Sequence, residues 1–171
     1  MLKINTKYIY EEIIMPNLSA GMKAPLIDIP RDGGSSINTS KLDNSYVIYF
    51  YPKDDTPGCT KEAINFSENM SFFDKNNITV IGISKDTVEK HDKFIVKHNL
   101  GVILGSDLTG KVCEDFGVWI EKSMYGRKYM GIDRSTFLVG KNGIIHKVWN
   151  KVKVKDHVDD VINACKEMLN T

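Results

Sequence analysis

Two runs of consecutive apolar residues stand out in the hydrophobic pattern of this chain. Residues 47–51 and 78–83 are largely β-branched or aromatic and lack polar alternation, which is typical of strands buried on both faces of a sheet. Pro52 ends the first run, because proline cannot donate a backbone hydrogen bond to a sheet. Between the runs, apolar residues recur at helical spacing after Cys59 and through Asp74, and they predict one amphipathic helix of about four turns.

The remaining pattern predicts further short elements. Turn residues at 31–36 lie between extended segments and predict an N-terminal hairpin, and a capping box at 86–89 predicts a helix that runs to about His98. We expect an extended segment at 101–104, a helix at 108–116 that Gly117 caps, an irregular loop at 121–133, strands at 135–139 and 144–149 around a turn, and a last helix at 156–169.

This order of elements predicts an α/β fold. Strands alternate with helices, and an antiparallel hairpin and a closing helix follow, so we expect a central mixed sheet flanked by helices, with an N-terminal hairpin addition. The arrangement resembles a thioredoxin-like fold. A chain of 171 residues is long enough for one domain, which we expect to span 15–171. Residues 1–14 show no clean period and are interpreted as an appendage, either disordered or read from an upstream start codon.

Composition excludes several classes of function. The chain has 23 basic and 22 acidic residues, so neither a nucleic acid nor an anionic membrane surface is indicated as a partner. The three cysteines form no Cys-x-x-Cys pair and no zinc-ligand spacing, so we predict no disulfide framework, no metal and no cofactor. The first residues lack a secretory pattern, and a reducing cytoplasmic setting is the default expectation.

Cys59 is the main candidate for chemistry. It lies just beyond the carboxyl end of a predicted buried strand and at the start of the predicted helix, where free N–H groups and the helix dipole favour a thiolate. Pro57 and Gly58 allow a tight approach to the sulfur, and Thr56 supplies a hydroxyl three residues earlier. The alternative is a small buried residue without a chemical role.

The segment from Pro52 to Cys59, Pro-Lys-Asp-Asp-Thr-Pro-Gly-Cys, is similar to the Pro-x-x-x-Thr-x-x-Cys signature of peroxiredoxins. The longer run 50–63 resembles the Q-type branch, the bacterioferritin comigratory protein family. The resemblance extends over 21–169 and includes the segments 107–110, 116–119 and 134–139.

This resemblance implies a thiol-dependent peroxidase that reduces hydrogen peroxide and organic hydroperoxides. Cys59 would be the peroxidatic nucleophile and become a sulfenic acid, while Thr56 and Arg134 would bind the peroxide. Pro52, Gly58 and Glu62 would support them, with Glu62 holding the arginine. From the residues alone, Arg134 could equally be a solvated charge at the end of a strand.

The position of the second cysteine departs from the family pattern. Ile64 stands where many Q-type members carry a resolving cysteine, and the predicted helix at 87–98, the other position used, contains none. We therefore favour a one-cysteine cycle in which thioredoxin, glutaredoxin with glutathione or another small thiol is the reductant. Cys113 is a candidate resolving cysteine for a two-cysteine cycle, or else a half-buried helix residue, and Cys165 reads as core. The resemblance favours a monomer or weak homodimer.

Two other classes of function stay open at this stage. A cysteine–histidine hydrolase would need one of four histidines as its base, but these lie on predicted helices or on a hairpin strand, where solvated or hydrogen-bonded histidines are expected. They are His91, His98, His146 and His157. Alternatively, the protein could be a peroxide-sensing thiol switch, in which oxidation of Cys59 changes contact with a partner.

Overall fold

Five strands form a central mixed sheet in the computed structural model, which describes residues 16–171. The predicted appendage at 1–14 lies outside the described residues. The strands are β1 (Asp28–Pro30), β2 (Ser36–Asn38), β3 (Ser45–Phe50), β4 (Ile78–Ser84), β5 (Ile103–Ser106), β6 (Trp119–Met124), β7 (Arg127–Ile132), β8 (Ser135–Val139) and β9 (Ile145–Trp149). The helices are α1 (Pro57–Glu68), α2 (Met70–Lys75), α3 (Val88–His98), α4 (Lys111–Asp115) and α5 (His157–Leu169).

The central sheet has the order β5-β4-β3-β8-β9. β3 pairs with β4 in parallel and with β8 in antiparallel, and β9 continues the sheet in antiparallel beyond β8. Helices form both crossovers between parallel strands, α1 and α2 between β3 and β4 and α3 between β4 and β5, because parallel neighbours need a long connection that is usually helical. The predicted thioredoxin-like α/β fold is confirmed, and β1 and β2 form the predicted N-terminal hairpin.

The sheet separates two core layers, and alternation along β3 assigns side chains to each. Val47 and Tyr49 lie in the layer that packs against α1, α2, α3 and α5. Ile48 and Phe50 lie in the opposite layer, which packs against α4 and the N-terminal hairpin. This explains why the β3 sequence shows no polar alternation: both of its faces are buried.

The predicted continuous helix after Cys59 is wrong at one position. α1 ends at Glu68, and α2 begins only after Asn69, whose side-chain amide donates to the carbonyl of Asn65 at 2.8 Å. The backbone N–H of Asn69 bonds to Phe66 O in a tighter turn. Side-chain bonds of asparagine to nearby carbonyls compete with the helical ladder, and here they break it.

The predicted capping box is also corrected. α3 is capped by Thr87, whose hydroxyl accepts a bond from the Lys90 N–H at 3.2 Å. Asp86 instead turns its carboxylate toward Ser84 and the backbone of Asp54. The helix is present as predicted, but the Asp86 carboxylate forms these tertiary bonds and does not cap it.

The predicted loop at 121–133 is a β-hairpin. β6 and β7 pair in antiparallel over their whole length and turn at Tyr125 and Gly126, both with positive φ. Most of their side chains are exposed on both faces, so no hydrophobic alternation marks the strands. The hairpin ends at Ile132, and Arg134 lies in the short connection between β7 and β8, directly before the first residue of β8.

The other predicted elements are present, with shifted ends. The turn between β8 and β9 closes with a bond from Gly143 N to Gly140 O, and Gly117 follows α4 with a positive φ. Within residues 16–171, no helix combines the length and the apolar character needed to span a membrane.

Candidate active site

Cys59 is the third residue of α1 and only 2% exposed. Thr56 precedes the helix in an extended conformation, and Pro57 occupies the first helical position, where the missing N–H costs nothing. The helical ladder starts with the bond from Thr60 N to Thr56 O at 2.8 Å. By helix geometry, the N–H groups of the first turn therefore stay available to an oxygen beside the sulfur.

Arg134 connects two groups of the site. Its Nη2 donates to the sulfur of Cys59 at 3.4 Å, and its Nη1 donates to Oε1 of Glu62 at 2.8 Å. Burial alone would lower the pKa of Arg134, but the Glu62 and Cys59 charges outweigh burial and raise it. The guanidinium is thus a fixed positive charge against the sulfur.

Gly58 makes room for this guanidinium. A Cβ at that position would lie 3.2 Å from Nη2 of Arg134, tighter than ordinary contact. A side chain there would push the arginine away from the start of α1. The tight approach expected from the sequence is therefore the approach of Arg134.

Glu62 lies one helical turn after Cys59 and is fully buried. Burial raises the pKa of its carboxyl to about 7, although Arg134 acts in the opposite direction. Its Oε2 has no hydrogen-bond partner among the residues that the structure describes. Because the carboxylate is removed from water and one of its oxygens lacks a hydrogen bond, its charged form is poorly stabilised, and its pKa is raised.

The hydroxyl of Thr56 does not point its proton at the sulfur. It donates to the carbonyl of Lys53 at 2.8 Å and so closes the loop between β3 and α1. The oxygen keeps its lone pairs for accepting a bond from a ligand. Pro52 begins this loop and is exposed.

The structure separates Cys113 from Cys59. Cys113 is fully buried on α4 in the core layer on the far side of the sheet, and burial together with Asp107 raises its pKa. Cys165 shares the layer of Cys59, and burial raises its pKa to about 12. All three cysteines are free thiols.

Sequence reasoning missed one feature of the site. Asp54, in the loop before Cys59, pairs with the buried ring of His91 on α3 at 2.6 Å. The two residues are 37 positions apart, and no local pattern joins them.

Among the other histidines, His157 bonds to Thr136 in the core and His98 binds Asp55. None of the hydrogen bonds formed by described residues joins a histidine to Cys59, so the arrangement of a cysteine–histidine hydrolase is not present there.

Groups of three or more His, Cys, Asp or Glu side chains that could hold a metal ion do not occur between residues 16 and 171. The site consists instead of a buried cysteine at a helix start, a guanidinium against its sulfur and free backbone donors beside it. This combination suits the chemistry of a thiol enzyme, with a cysteine sulfur and hydrogen-bond donors beside it for an oxygen-containing ligand.

Comparison with known proteins gives the family. The AhpC/TSA family profile matches residues 20–148. A putative peroxiredoxin Bcp of Coxiella burnetii is 47% identical over 147 residues, covering 85% of this chain and 97% of that protein. Peroxiredoxin Bcp of Bacillus subtilis is 45% identical over 152 residues, covering 88% and 97%.

Solved structures agree. The bacterioferritin comigratory protein of Xanthomonas campestris, whose structures were determined to explain its alkyl peroxide reduction, superposes with a TM-score of 0.79 at 39% identity, over 83% of this chain and 91% of that one. A PrxQ variant of Xylella fastidiosa superposes with a TM-score of 0.85 at 34% identity, over 90% and 99%. The chain therefore belongs to the AhpC/TSA family, and it is a peroxiredoxin, an enzyme that reduces peroxides with electrons from thiols.

Proposed function

We propose that Cys59 is the peroxidatic nucleophile and that Thr56 and Arg134 bind the peroxide beside it. The observation that carries the proposal is the bridge that Arg134 makes between Cys59 and buried Glu62. A guanidinium held on one side by a buried carboxylate keeps its position while its other edge faces the sulfur. Gly58 and Pro57 support this geometry by keeping the helix start open and preformed.

In the proposed reaction the thiolate of Cys59 attacks the outer oxygen of the peroxide. An S–O bond forms as the O–O bond breaks, the sulfur is oxidised by two electrons to sulfenic acid, and the leaving oxygen takes up a proton and departs as water or an alcohol. Hydrogen peroxide and organic hydroperoxides both fit this chemistry, because the attacked bond is the same.

Placed donors supply most of the acceleration in this proposal. Formation of thiolate alone gives little, because the nucleophilicity of a thiolate falls as its basicity falls, with a Brønsted coefficient of about 0.4 to 0.5. One preorganised donor at a developing oxyanion contributes on the order of a hundredfold or more. Arg134 and the Cys59 N–H are such donors. Thr56, whose own proton goes to Lys53, accepts the peroxide O–H and so orients it.

We propose that an external thiol closes the cycle. The positions of the usual resolving cysteines are Ile64 and residues of α3, and neither offers a thiol. Cys113 would have to cross the sheet, whereas a disulfide needs Cα atoms within about 7 Å. One thiol then forms a mixed disulfide with Cys59, and its proton leaves with the sulfenic hydroxyl as water. A second thiol attacks the sulfur of the first, which releases the Cys59 thiol and leaves the two external thiols joined as a disulfide.

Candidate reductants are thioredoxin, glutaredoxin with glutathione, or another small thiol. The three free cysteines are consistent with a reducing compartment such as the cytoplasm. The proposal further includes a monomer or weak homodimer and a single domain that starts near residue 15. It does not require a sensor role, since the peroxidase chemistry is complete with a thiol donor.

Intact-mass analysis tests this cycle. One equivalent of peroxide without thiol should add one oxygen to the wild type and to Cys113→Ser, and nothing to Cys59→Ser. Loss of two hydrogens that depends on Cys113 would overturn the one-cysteine cycle in favour of the two-cysteine alternative. Oxidation without steady consumption of peroxide, with several thiols supplied, would favour the peroxide sensor.

A further inference from the structure

A buried pair fastens the loop between β3 and α1, five residues before Cys59 at Asp54. Nδ1 of His91 lies 2.6 Å from Oδ2 of Asp54, and Nε2 of His91 lies 3.0 Å from the carbonyl oxygen of Gly105. Carboxylate and carbonyl oxygens accept, so a ring between them donates from both nitrogens as an imidazolium. His91 is fully buried and Asp54 is 8% exposed, which makes this an internal ion pair.

Asp54 is held from three directions. The hydroxyl of Tyr51 donates to its Oδ1 at 2.6 Å, and its own N–H donates to Oδ2 of Asp86 at 2.9 Å. Asp86 is in turn fixed by the hydroxyl of Ser84 at 2.7 Å. The loop before Cys59 is therefore tied to the ends of β3 and β4 and, through His91, to α3.

The next residue shows what these bonds hold in place. Asp55 has a φ of 57°, a left-handed conformation that is uncommon for residues other than glycine. Its exposed carboxylate is bound by Lys97 at 2.6 Å and His98 at 2.8 Å, contacts that solvent weakens. Such a backbone conformation persists only where its surroundings over-determine it, and the buried neighbour Asp54 supplies the stronger hold.

The same loop leads directly into the first turn of α1, which carries Cys59. Cys59 is 2% exposed and has Arg134 against its sulfur, so a thiol, which must bring its own sulfur in line with the S–O bond, meets more obstruction than a small peroxide. Reduction of the sulfenic acid requires the thiol sulfur to bond to the Cys59 sulfur as the oxygen leaves with a proton as water. The loop and the first turn of α1 must move for this, and their movement strains or breaks the bonds of Asp54.

We propose that the Asp54–His91 pair is a positioning device that holds the Cys59 loop in its peroxide-reactive form and limits access of an external thiol to the oxidised cysteine. The inference rests on the proposed function, because it assigns opposite effects to the two halves of that cycle. Asp54 and His91 touch neither peroxide nor sulfur and act through the loop.

The charge of His91 makes the device sensitive to pH. Burial alone would lower the pKa of His91, but the bond and charge of Asp54, the carbonyl of Gly105 and the charge of Asp86 outweigh burial and raise it above 6.5. Tyr51 is the remaining titratable group against the ring, at 3.5 Å. The ion pair is therefore complete at low pH and is lost as pH rises through the pKa of the folded His91, which loosens the loop.

The test measures oxidation and reduction separately in wild type, His91→Gln and Asp54→Asn. Oxidation of Cys59 by hydrogen peroxide and reduction of the sulfenic acid by 2-mercaptoethanol are followed by chemical quench and intact mass over a range of pH. At each pH the rate of the variant is divided by that of the wild type, so that the pH-dependent ionisation of 2-mercaptoethanol, which is the same in both samples, cancels. The control is a variant of Ile145, which lies in the other core layer. Ile145→Val or Ile145→Ala is chosen, whichever has a Tm closer to that of the His91 and Asp54 variants.

We expect reduction to be at least about fivefold faster in both variants at the acidic end of the range, with oxidation unchanged or slower, and the reduction ratio to fall toward one as His91 of the wild type loses its proton. Should His91→Gln fail to fold, the isosteric Asp54→Asn carries the same expectation. Ratios near one at every pH, or an equal gain in the Ile145 control, would overturn the inference alone. A wild type that peroxide does not oxidise at Cys59 would overturn the proposed function itself.

Discussion

At the scale of single residues, the site depends on Arg134 serving two partners at once. One nitrogen faces the sulfur of Cys59 at 3.4 Å and the other binds Glu62 at 2.8 Å. Lysine could supply the charge but not this fork of two donors. The Glu62 carboxylate that binds the arginine is buried, and among the described residues only its Oε1 has a hydrogen-bond partner. The protonation state of Glu62 therefore affects how firmly Arg134 is held.

Replacement of Arg134 should separate geometry from thiolate formation. We expect Arg134→Ala to slow oxidation of Cys59 by about a hundredfold or more, because a preorganised donor is lost, and Arg134→Lys to recover only part of the rate. Stopped-flow oxidation rates and ultraviolet absorbance of the thiolate are measured on the same samples. A loss fully explained by a smaller thiolate fraction would contradict the role of Arg134 at the peroxide.

The raised pKa of Glu62, about 7, predicts a pH effect on oxidation. Ionised Glu62 anchors Arg134 with an ion pair, whereas the protonated acid and Glu62→Gln offer the guanidinium only a neutral acceptor, which binds it more weakly. The ratio of wild-type to Glu62→Gln oxidation rates should therefore rise from near one in mild acid to about tenfold above neutrality, equivalent to about 1.4 kcal/mol. Glu68→Gln, exposed at the end of the same helix, is the control and should give a flat ratio.

At the scale of elements, the position of Cys59 depends on how β3 packs against α1. Tyr49 of β3 stacks on Phe66 of α1 with ring centroids 4.6 Å apart, and its ring crosses over Gly82 on the neighbouring strand. The buried face of α1 carries Cys59, Glu62, Ala63 and Phe66. The ring of Tyr49 therefore helps to set the position of the helix that presents the sulfur.

Gly82→Ala should disturb this packing. Its Cβ would lie 2.6 Å from Cζ of Tyr49, a contact that a buried ring between sheet and helix cannot relieve cheaply. We expect a loss of about 1–3 kcal/mol in the free energy of unfolding, measured by urea denaturation. Gly101→Ala, whose Cβ would meet the flexible side chain of Met70 at 3.3 Å, should cost clearly less. Equal losses in the two variants would show that the contact with Tyr49 is not the cause.

At the scale of the whole molecule, the sheet decides which titratable groups share an environment. Cys59, Cys165 and the α5 helix lie on one side of it, and Cys113 lies on the other. His157 at the start of α5 is 4% exposed and bonds to Thr136 in the sheet. Burial is the main cause that lowers the pKa of His157 to about 4.

This buried histidine predicts part of the acid denaturation of the protein. As pH falls from about 6.5 to about 4, the unfolded chain gains a proton on His157 that the folded chain does not, so stability falls, by up to about 3 kcal/mol. Free energies of unfolding against pH should show a shallower acid slope for His157→Asn than for the wild type. Identical slopes in this window would mean that His157 does not stay neutral in the fold.

Local sequence patterns predicted most elements because their signals are local. The apolar run of β3, the proline after it, the turn between β8 and β9 and the stripe of α5 each depend on neighbouring residues. The pattern failed where both faces of a hairpin are exposed, in β6 and β7, and where Asn69 breaks a periodic helix through its own side chain. The motif around Cys59 identified the candidate nucleophile, but the hydroxyl of Thr56 donates to Lys53, which no motif specifies.

The sequence by itself determined the fold class, the place of Cys59 at the start of a helix and the lack of a cysteine at position 64 and in α3, since each follows from residues near one another in the chain. Tertiary structure decided which distant groups meet: Arg134 with Glu62 across 72 positions, and Asp54 with His91 across 37. It also decided that Cys113 lies across the sheet from Cys59. Burial, and with it the pKa of Glu62, arises from packing between elements, and one-dimensional spacing carries no information about that packing.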